Sequence, residues 1–117
     1  MNESTPLDLA FAALADPTRR AILARLSKGE ATVSELSKPF GLRQPTISKH
    51  LRVLEEAGFI RQARDAQRRP RQLVVGGPLK DVDAWIRPFR AQWEGRFDNL
   101  DAYLKKMNKP KSKGTRP

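Results

Sequence analysis

The residues best suited to chemistry lie in one stretch, QPTISKHLRVLEEAG, at positions 44–58. Its apolar residues Ile47, Leu51 and Leu54 have the spacing of one helical face, which predicts that this face is buried. With that face turned inward, the rest of the helix presents polar, short or basic side chains: Gln44, Thr46, Ser48, Lys49 and Arg52. The sequence therefore predicts a helix whose outer face contacts a polar or acidic partner.

These side-chain types near the start of a helix suit the major groove of DNA. Glutamine can form two hydrogen bonds with adenine, arginine and lysine reach guanine, and a threonine methyl can touch the methyl group of thymine. The predicted base contacts are Gln44, Thr46, Lys49 and Arg52, and Ser48 is predicted to lie nearer the phosphates. An ordinary surface helix with incidental charge is the alternative, and this stretch alone does not exclude it.

Helix-start signals outline the elements that position this stretch. They stand at Thr5 with Asp8, at Asp16 before Pro17, and at Thr32 with Glu35, and each predicts the start of a short helix. Gly41 supplies a turn between the third helix and the stretch 44–57, which is the helix-turn-helix pattern. The predicted fold is mainly α with a small β-hairpin.

That hairpin follows Gly58 and is rich in arginine. FIRQARD and RQLVV read as two short strands joined by AQRRP, so residues 60–75 are predicted to form the wing of a winged helix. Five arginines fall within eleven residues: Arg61, Arg64, Arg68, Arg69 and Arg71. A wing lies along the DNA backbone or in a minor groove, where arginine is favoured. The predicted wing contacts are Arg64, Arg68, Arg69 and Arg71.

Composition agrees with a nucleic-acid partner. The 117 residues contain 23 Lys and Arg against 13 Asp and Glu, which gives a net charge of +10. Such an excess on a small domain is typical of proteins that bind a polyanion. No apolar run approaches the roughly 20 residues that a membrane span requires. The N-terminal residues lack the pattern of a signal peptide, so we expect a cytoplasmic protein with no membrane partner.

A long amphipathic segment closes the chain. Ile86, Trp93, Leu100 and Met107 recur every seven residues, as in helices that pack along one another. Pro88 predicts either a kink or two helices at this point. The aromatic residues of the segment could instead line a ligand pocket, a less favoured interpretation. We predict one domain over residues 1–107 and a basic disordered tail over 108–117.

The sequence does not favour an enzyme. It contains no cysteine, and His50 is its single histidine. Ser48 cannot act with His50, because residues two apart on a helix do not face each other. His50 is therefore predicted to pack or to contact a phosphate. No catalytic residue is predicted.

Three stretches, DPTRRAILARL, EATVSEL and QPTISKHLRVLEEAGFI, resemble the ArsR type of small bacterial winged-helix repressors. The likeness runs from about Leu9 to Leu104, and WIRPFRAQWEGRFDNLDAYL resembles one subgroup of that family. It implies a homodimer that occupies a palindromic double-stranded DNA operator and blocks transcription. The first and last helices would form the dimer, with contacts at Leu9, Phe11, Ile86, Phe89, Trp93, Phe97, Leu100 and Leu104.

The chain departs from this family at its metal sites. Many members sense metals through cysteines on the helix that corresponds to residues 32–40, and this chain has none. Another family site uses Asp and His on the last helix, where Asp81 and Asp83 are present but no histidine follows His50. We therefore predict no metal and no cofactor, with a small molecule or a protein as a possible inducer.

Arg43 is a second departure, because a serine or similar cap commonly precedes the Gln-Pro pair in the family. We predict that Gln44 or a backbone contact caps the helix, or that Arg43 is free to contact a phosphate.

Two other functions stay open at this level. A sequence-indifferent architectural protein would coat DNA through its wing and tail. A protein-interaction module would dock a partner through its aromatic helix, with incidental basic charge.

Overall fold

The computed structural model describes residues 5–64 and 67–108, apart from the side chains of 97–99 and 108. The elements follow the order α1 (Pro6–Leu14), α2 (Pro17–Leu26), α3 (Val33–Phe40), α4 (Gln44–Glu56), β1 (Ile60–Gln62), β2 (Arg71–Leu73) and α5 (Pro78–Asn108). This confirms the predicted fold, which is mainly α with one small antiparallel hairpin. The chain forms two compact units, one up to Asp83 and the other from Ala84.

The predicted helix starts are confirmed by their hydrogen bonds. The N–H of Asp8 donates to the Thr5 hydroxyl at 3.1 Å, and the N–H of Thr5 donates back to the Asp8 carboxylate at 3.0 Å. Thr32 and Glu35 form the same reciprocal pair, at 2.9 and 3.2 Å. Each pair satisfies backbone donors that have no partner inside the helix.

Asp16 caps α2 through two backbone groups. Its carboxylate accepts the N–H of Thr18 at 2.7 Å and that of Arg19 at 3.1 Å. The hydrogen bond from Arg19 is the largest cause that lowers the pKa of Asp16 below its ordinary value of 3.8, and the bond from Thr18 and the charges of His50 and Arg19 add to it. The ionised carboxylate is therefore favoured in the folded chain.

This lowered pKa makes part of the stability depend on pH. The contribution of Asp16 is fully present above its unfolded pKa and is lost as the pH falls through the lower folded pKa. Asp16→Asn keeps a capping oxygen without a titrating group. We expect the stability advantage of the wild type over Asp16→Asn, measured by urea unfolding, to shrink as the pH falls below about 4. A constant difference between pH 7 and pH 3 would contradict this assignment.

The core of the first unit is built on the inner face of α4. Ile47, Leu51 and Leu54 are fully buried, as the helical spacing predicted. They belong to one cluster with side chains from α2, α3 and the start of the hairpin: Ile22, Leu23, Leu26, Leu36, Phe59 and Ile60. Because three consecutive turns of α4 are fixed from the inside, the rotation of its outer face is fixed as well.

The turn between α3 and α4 depends on Gly41. Its φ of 65° lies in the left-handed region, where a side chain is disfavoured. Arg43 occupies the N-cap position of α4 and makes no side-chain capping hydrogen bond. Gln44 is already the first helical residue, so the prediction that its side chain caps the helix gains no support from the geometry.

The hairpin has shorter strands than the sequence indicated. β1 and β2 pair antiparallel over three positions, from Ile60 opposite Leu73 to Gln62 opposite Arg71. The pairing stops because Pro70 has no N–H to donate and Arg69 takes a left-handed φ of 46°. A separate bridge joins Ala31 to Arg71, so the segment before α3 pairs with the wing.

α5 is a single helix that passes through Pro88 without ending. Of the two predicted outcomes, two separate helices is therefore wrong. In the second unit, Phe89, Trp93, Leu100 and Leu104 are exposed, and the rings of Trp85 and Phe89 lie 5.1 Å apart. Phe97 lies within α5, but its side chain is outside the described residues. Apart from Asn108, the predicted tail also lies outside them.

Candidate nucleic-acid interface

The outer face of α4 presents the predicted side chains to solvent. Gln44, Thr46, Lys49 and Arg52 are exposed, and Ser48 is half-buried. The buried stripe on the other side of the helix holds this face in place. The structure thus places on one helix five residues that the sequence singled out, and four of their side chains are exposed to solvent.

The wing adds exposed arginines. Arg61, Arg64, Arg68 and Arg69 are all exposed, and the side-chain nitrogen Nε of Arg61 donates to Gln72 at 3.2 Å. Gln72 in turn donates to Glu30 at 2.8 Å. This pair of bonds connects the solvent side of the wing to the loop before α3.

Arg71 differs from the other wing arginines. Its side chain is 14% exposed, and its Nε donates to Glu55 Oε2 at 2.9 Å. Its Nη1 donates to the carbonyl oxygen of Arg69 at 2.7 Å. The guanidinium predicted to contact DNA is therefore engaged within the protein, so this geometry favours a structural role for Arg71.

Gln44 and Arg68, from separate elements, meet at one cleft. The cleft has a volume of about 340 Å³, and its lining comprises Thr32, Val33, Ser34, Glu35, Gln44 and Arg68. Hydrogen bonds from the backbone and hydroxyl of Thr32 lower the pKa of Glu35, and the positive charges of Arg25 and Arg68 lower it further. The negative charge of Glu35, which caps α3, therefore also interacts favourably with the positive charge of Arg68 in the wing.

Arg69 carries backbone strain that can be tested. Its φ of 46° costs an L-residue about 1 kcal/mol or more, and glycine adopts it without that cost. We expect Arg69→Gly to stabilise the protein by about 0.5 kcal/mol, because relief of strain exceeds the added chain entropy. Arg68→Gly is the matched control, with the same charge change at a residue without a positive φ. It should destabilise by about 0.5–1 kcal/mol in urea unfolding. Equal effects of both variants would argue against strain at Arg69.

Arg19 is a structural residue that the sequence did not reveal. Its Nε and Nη2 donate to the carbonyl oxygens of Ala13 and Ala12 at 2.7 and 3.1 Å. Its Nη1 lies 3.4 Å from Nδ1 of His50. One guanidinium thus satisfies carbonyls at the end of α1 and contacts α4. The contact places His50 beside Arg19 within the protein, and its role in packing or in contacting a phosphate stays a prediction.

Within the part of the chain that the structure describes, no three His, Asp or Glu side chains are grouped so that they could hold a metal ion. Across the same residues, no helix has both the length and the apolar character to cross a membrane. Independence from metal stays a prediction.

The helix-turn-helix geometry of the chain agrees with the known proteins that its sequence resembles. A family model described as a helix-turn-helix domain matches residues 14–63. The HTH-type transcriptional regulator Rv2034 of Mycobacterium tuberculosis is 42% identical over 70 residues, which cover 60% of this chain and 65% of that protein. The transcriptional repressor SdpR of Bacillus subtilis is 40% identical over 57 residues, which cover 49% of this chain and 63% of SdpR. This chain thus spans slightly less than two thirds of the length of either relative.

A solved structure extends the match to nearly a whole protein. The crystal structure of an ArsR family transcriptional regulator superimposes with a TM-score of 0.67 at 44% identity, covering 77% of this chain and 98% of that one. The transcriptional repressor BigR from Xylella fastidiosa superimposes with a TM-score of 0.55 at 30% identity, over 69% of this chain and 83% of BigR. With this identity over almost all of a family member, and with the same winged helix-turn-helix fold, the chain belongs to the ArsR family of transcriptional regulators.

Proposed function

We propose that this regulator is a sequence-specific repressor that binds a palindromic DNA operator as a homodimer. The observation that carries the proposal is the exposed outer face of α4 beside an arginine-rich wing, on a chain with a net charge of +10. SdpR and BigR are both transcriptional repressors, which supports repression as the outcome of binding. Access to chromosomal DNA implies a cytoplasmic location.

In this proposal α4 reads bases in the major groove. Gln44, Thr46, Lys49 and Arg52 contact base edges, because their exposed side chains have the donors and methyl groups that distinguish base pairs. The half-buried Ser48 is nearer the DNA backbone. Arg43, exposed and without a capping bond, contacts a phosphate next to the start of the helix.

The wing arginines supply affinity that does not depend on sequence. Arg64, Arg68 and Arg69 are exposed and contact phosphates or a minor groove. Each neutralised phosphate steepens the dependence of log K on log salt by roughly 0.9. Arg71 takes no part in these contacts, because its guanidinium is bound to Glu55 and to the carbonyl oxygen of Arg69.

A second copy of the chain covers the exposed apolar side chains of α1 and α5. Six of the predicted interface side chains are more than a third exposed: Leu9, Phe11, Phe89, Trp93, Leu100 and Leu104. Ile86, seven residues before Trp93, is half-buried. Isolated exposed apolar residues are common, but a seven-residue repeat of them on one helix is typical of a helix-packing seam. Two α4 helices related by a two-fold axis would enter successive major grooves about 34–36 Å apart.

The first test is binding to labelled DNA from upstream of the protein's own gene, beside a scrambled duplex, across a salt series. The proposal predicts tighter binding to the native fragment, with a preference that survives added salt. Equal and steeply salt-dependent binding to both duplexes would favour an architectural protein instead. No binding to either would favour a protein-interaction module. Binding lost on addition of a chelator would contradict the prediction that no metal ion takes part.

A further inference from the structure

We propose that Glu55 is a positioning residue for DNA binding, which acts through Arg71 to hold the wing arginines in place. The inference rests on the proposed function and deepens it, since it assigns a role in DNA recognition to an acidic residue that does not contact DNA. It concerns residues of the first unit only.

Glu55 connects α4, the helix proposed to read bases, to both strands of the wing. It lies in the last turn of α4, and its Oε2 accepts Arg71 Nε at 2.9 Å and Gln62 Nε2 at 3.3 Å. The Glu55 and Arg71 side chains are 25% and 14% exposed, so the ion pair is partly shielded from water. A shielded, charge-assisted hydrogen bond fixes geometry better than an exposed ion pair does.

Arg71 passes this constraint to the part of the wing that carries the exposed arginines. Its backbone is fixed by Ala31, with N–H to carbonyl distances of 2.7 and 3.1 Å. Its Nη1 holds the carbonyl oxygen of Arg69 at 2.7 Å, at the residue with the left-handed φ of 46°. Next to it, the N–H of Ala63 donates to the carbonyl of Pro70 at 2.7 Å. The strained backbone that aims Arg68 and Arg69 is thus stabilised by a guanidinium that Glu55 orients.

The proposal makes a prediction whose sign is opposite to that of simple electrostatics. A carboxylate on a helix that approaches DNA repels phosphates, so its removal should strengthen binding if charge alone mattered. If Glu55 positions the wing, its removal should weaken binding instead. Glu56 is the matched control, because it is exposed on the same turn of α4 and has the same charge.

The experiment compares the affinities of Glu55→Ala and Glu56→Ala for the labelled DNA from upstream of the protein's own gene, across a salt series. We expect Glu56→Ala to bind as tightly as the wild type or more tightly. Glu55→Ala should bind about tenfold more weakly, with a salt slope lower by about one, the signature of a lost phosphate contact. Equal or tighter binding by Glu55→Ala would overturn the inference. No DNA binding by the wild type would instead defeat the proposed function, so the two failures are distinguishable.

A double-mutant cycle separates positioning from loss of stability. Arg69→Ala should weaken binding in the wild type and have little further effect in Glu55→Ala, whereas Lys49→Ala should have its full effect in both. Additive effects at both residues would overturn the inference. Should Glu55→Ala unfold, Glu55→Gln keeps the size of the side chain but removes the negative charge that strengthens its bond to Arg71, and Glu56→Gln is its control. Weaker binding by Glu55→Gln than by Glu56→Gln supports the inference, and equal binding overturns it.

Discussion

Trp93→Asp is expected to turn the proposed dimer into a monomer. Trp93 is 51% exposed in a single chain and stands in the middle of the seven-residue repeat of α5. Buried tryptophans are among the residues that contribute most to interfaces, at about 2 kcal/mol or more. An aspartate there would also leave an uncompensated charge inside the seam. The dimer dissociation constant should therefore rise by about a hundredfold or more, which sedimentation equilibrium can measure.

The same variant should lose most of its operator affinity. A dimer that has bound one half-site binds the second as an intramolecular event, which raises overall affinity by about 10²–10⁴ over one half-site alone. The control is Ala91→Asp, which introduces the same charge at an exposed residue two positions away, on the opposite side of the helix. It should stay dimeric. A Trp93→Asp protein that sediments as a dimer would place the interface elsewhere.

Local features of the fold were predictable because their causes lie within a few residues. Thr32 and Glu35 are three positions apart, and a capping box depends on nothing more distant. The burial of Ile47, Leu51 and Leu54 follows from helical periodicity alone. The resemblance to the ArsR family is confirmed by the match to a solved member. Membership in a family of transcriptional regulators also confirms that the chain is not an enzyme.

Features that depend on distant partners were not predictable. Arg71 was grouped with the other wing arginines by composition, yet its partner Glu55 lies 16 residues away in the sequence. Nothing local shows that one arginine of five faces inward. Pro88 was expected either to kink the last helix or to divide it in two, and only the division is contradicted. A proline removes a single donor, and a helix that extends ten residues before it and twenty after it tolerates that loss without ending.

Arg52→Ala is expected to relax base preference more than it weakens binding in general. The side chain is exposed on the outer face of α4, and a bidentate arginine contact to guanine discriminates by about 1–3 kcal/mol against a wrong base. Operator affinity should therefore fall by roughly tenfold or more, while affinity for a scrambled duplex falls far less. Competition binding against single-base operator variants measures which position loses its preference.

The comparison that gives this result its meaning is Arg69→Ala. Both substitutions remove one arginine, so both lower the net charge equally. If Arg69 contacts a phosphate, its loss should weaken operator and scrambled DNA by the same factor and lower the salt slope by about one. A change in preference with Arg52→Ala alone would then separate base reading on α4 from backbone contact on the wing. An unchanged ratio of operator to scrambled affinity in Arg52→Ala would show that this arginine contacts phosphate, and that base preference comes from Gln44, Thr46 or Lys49.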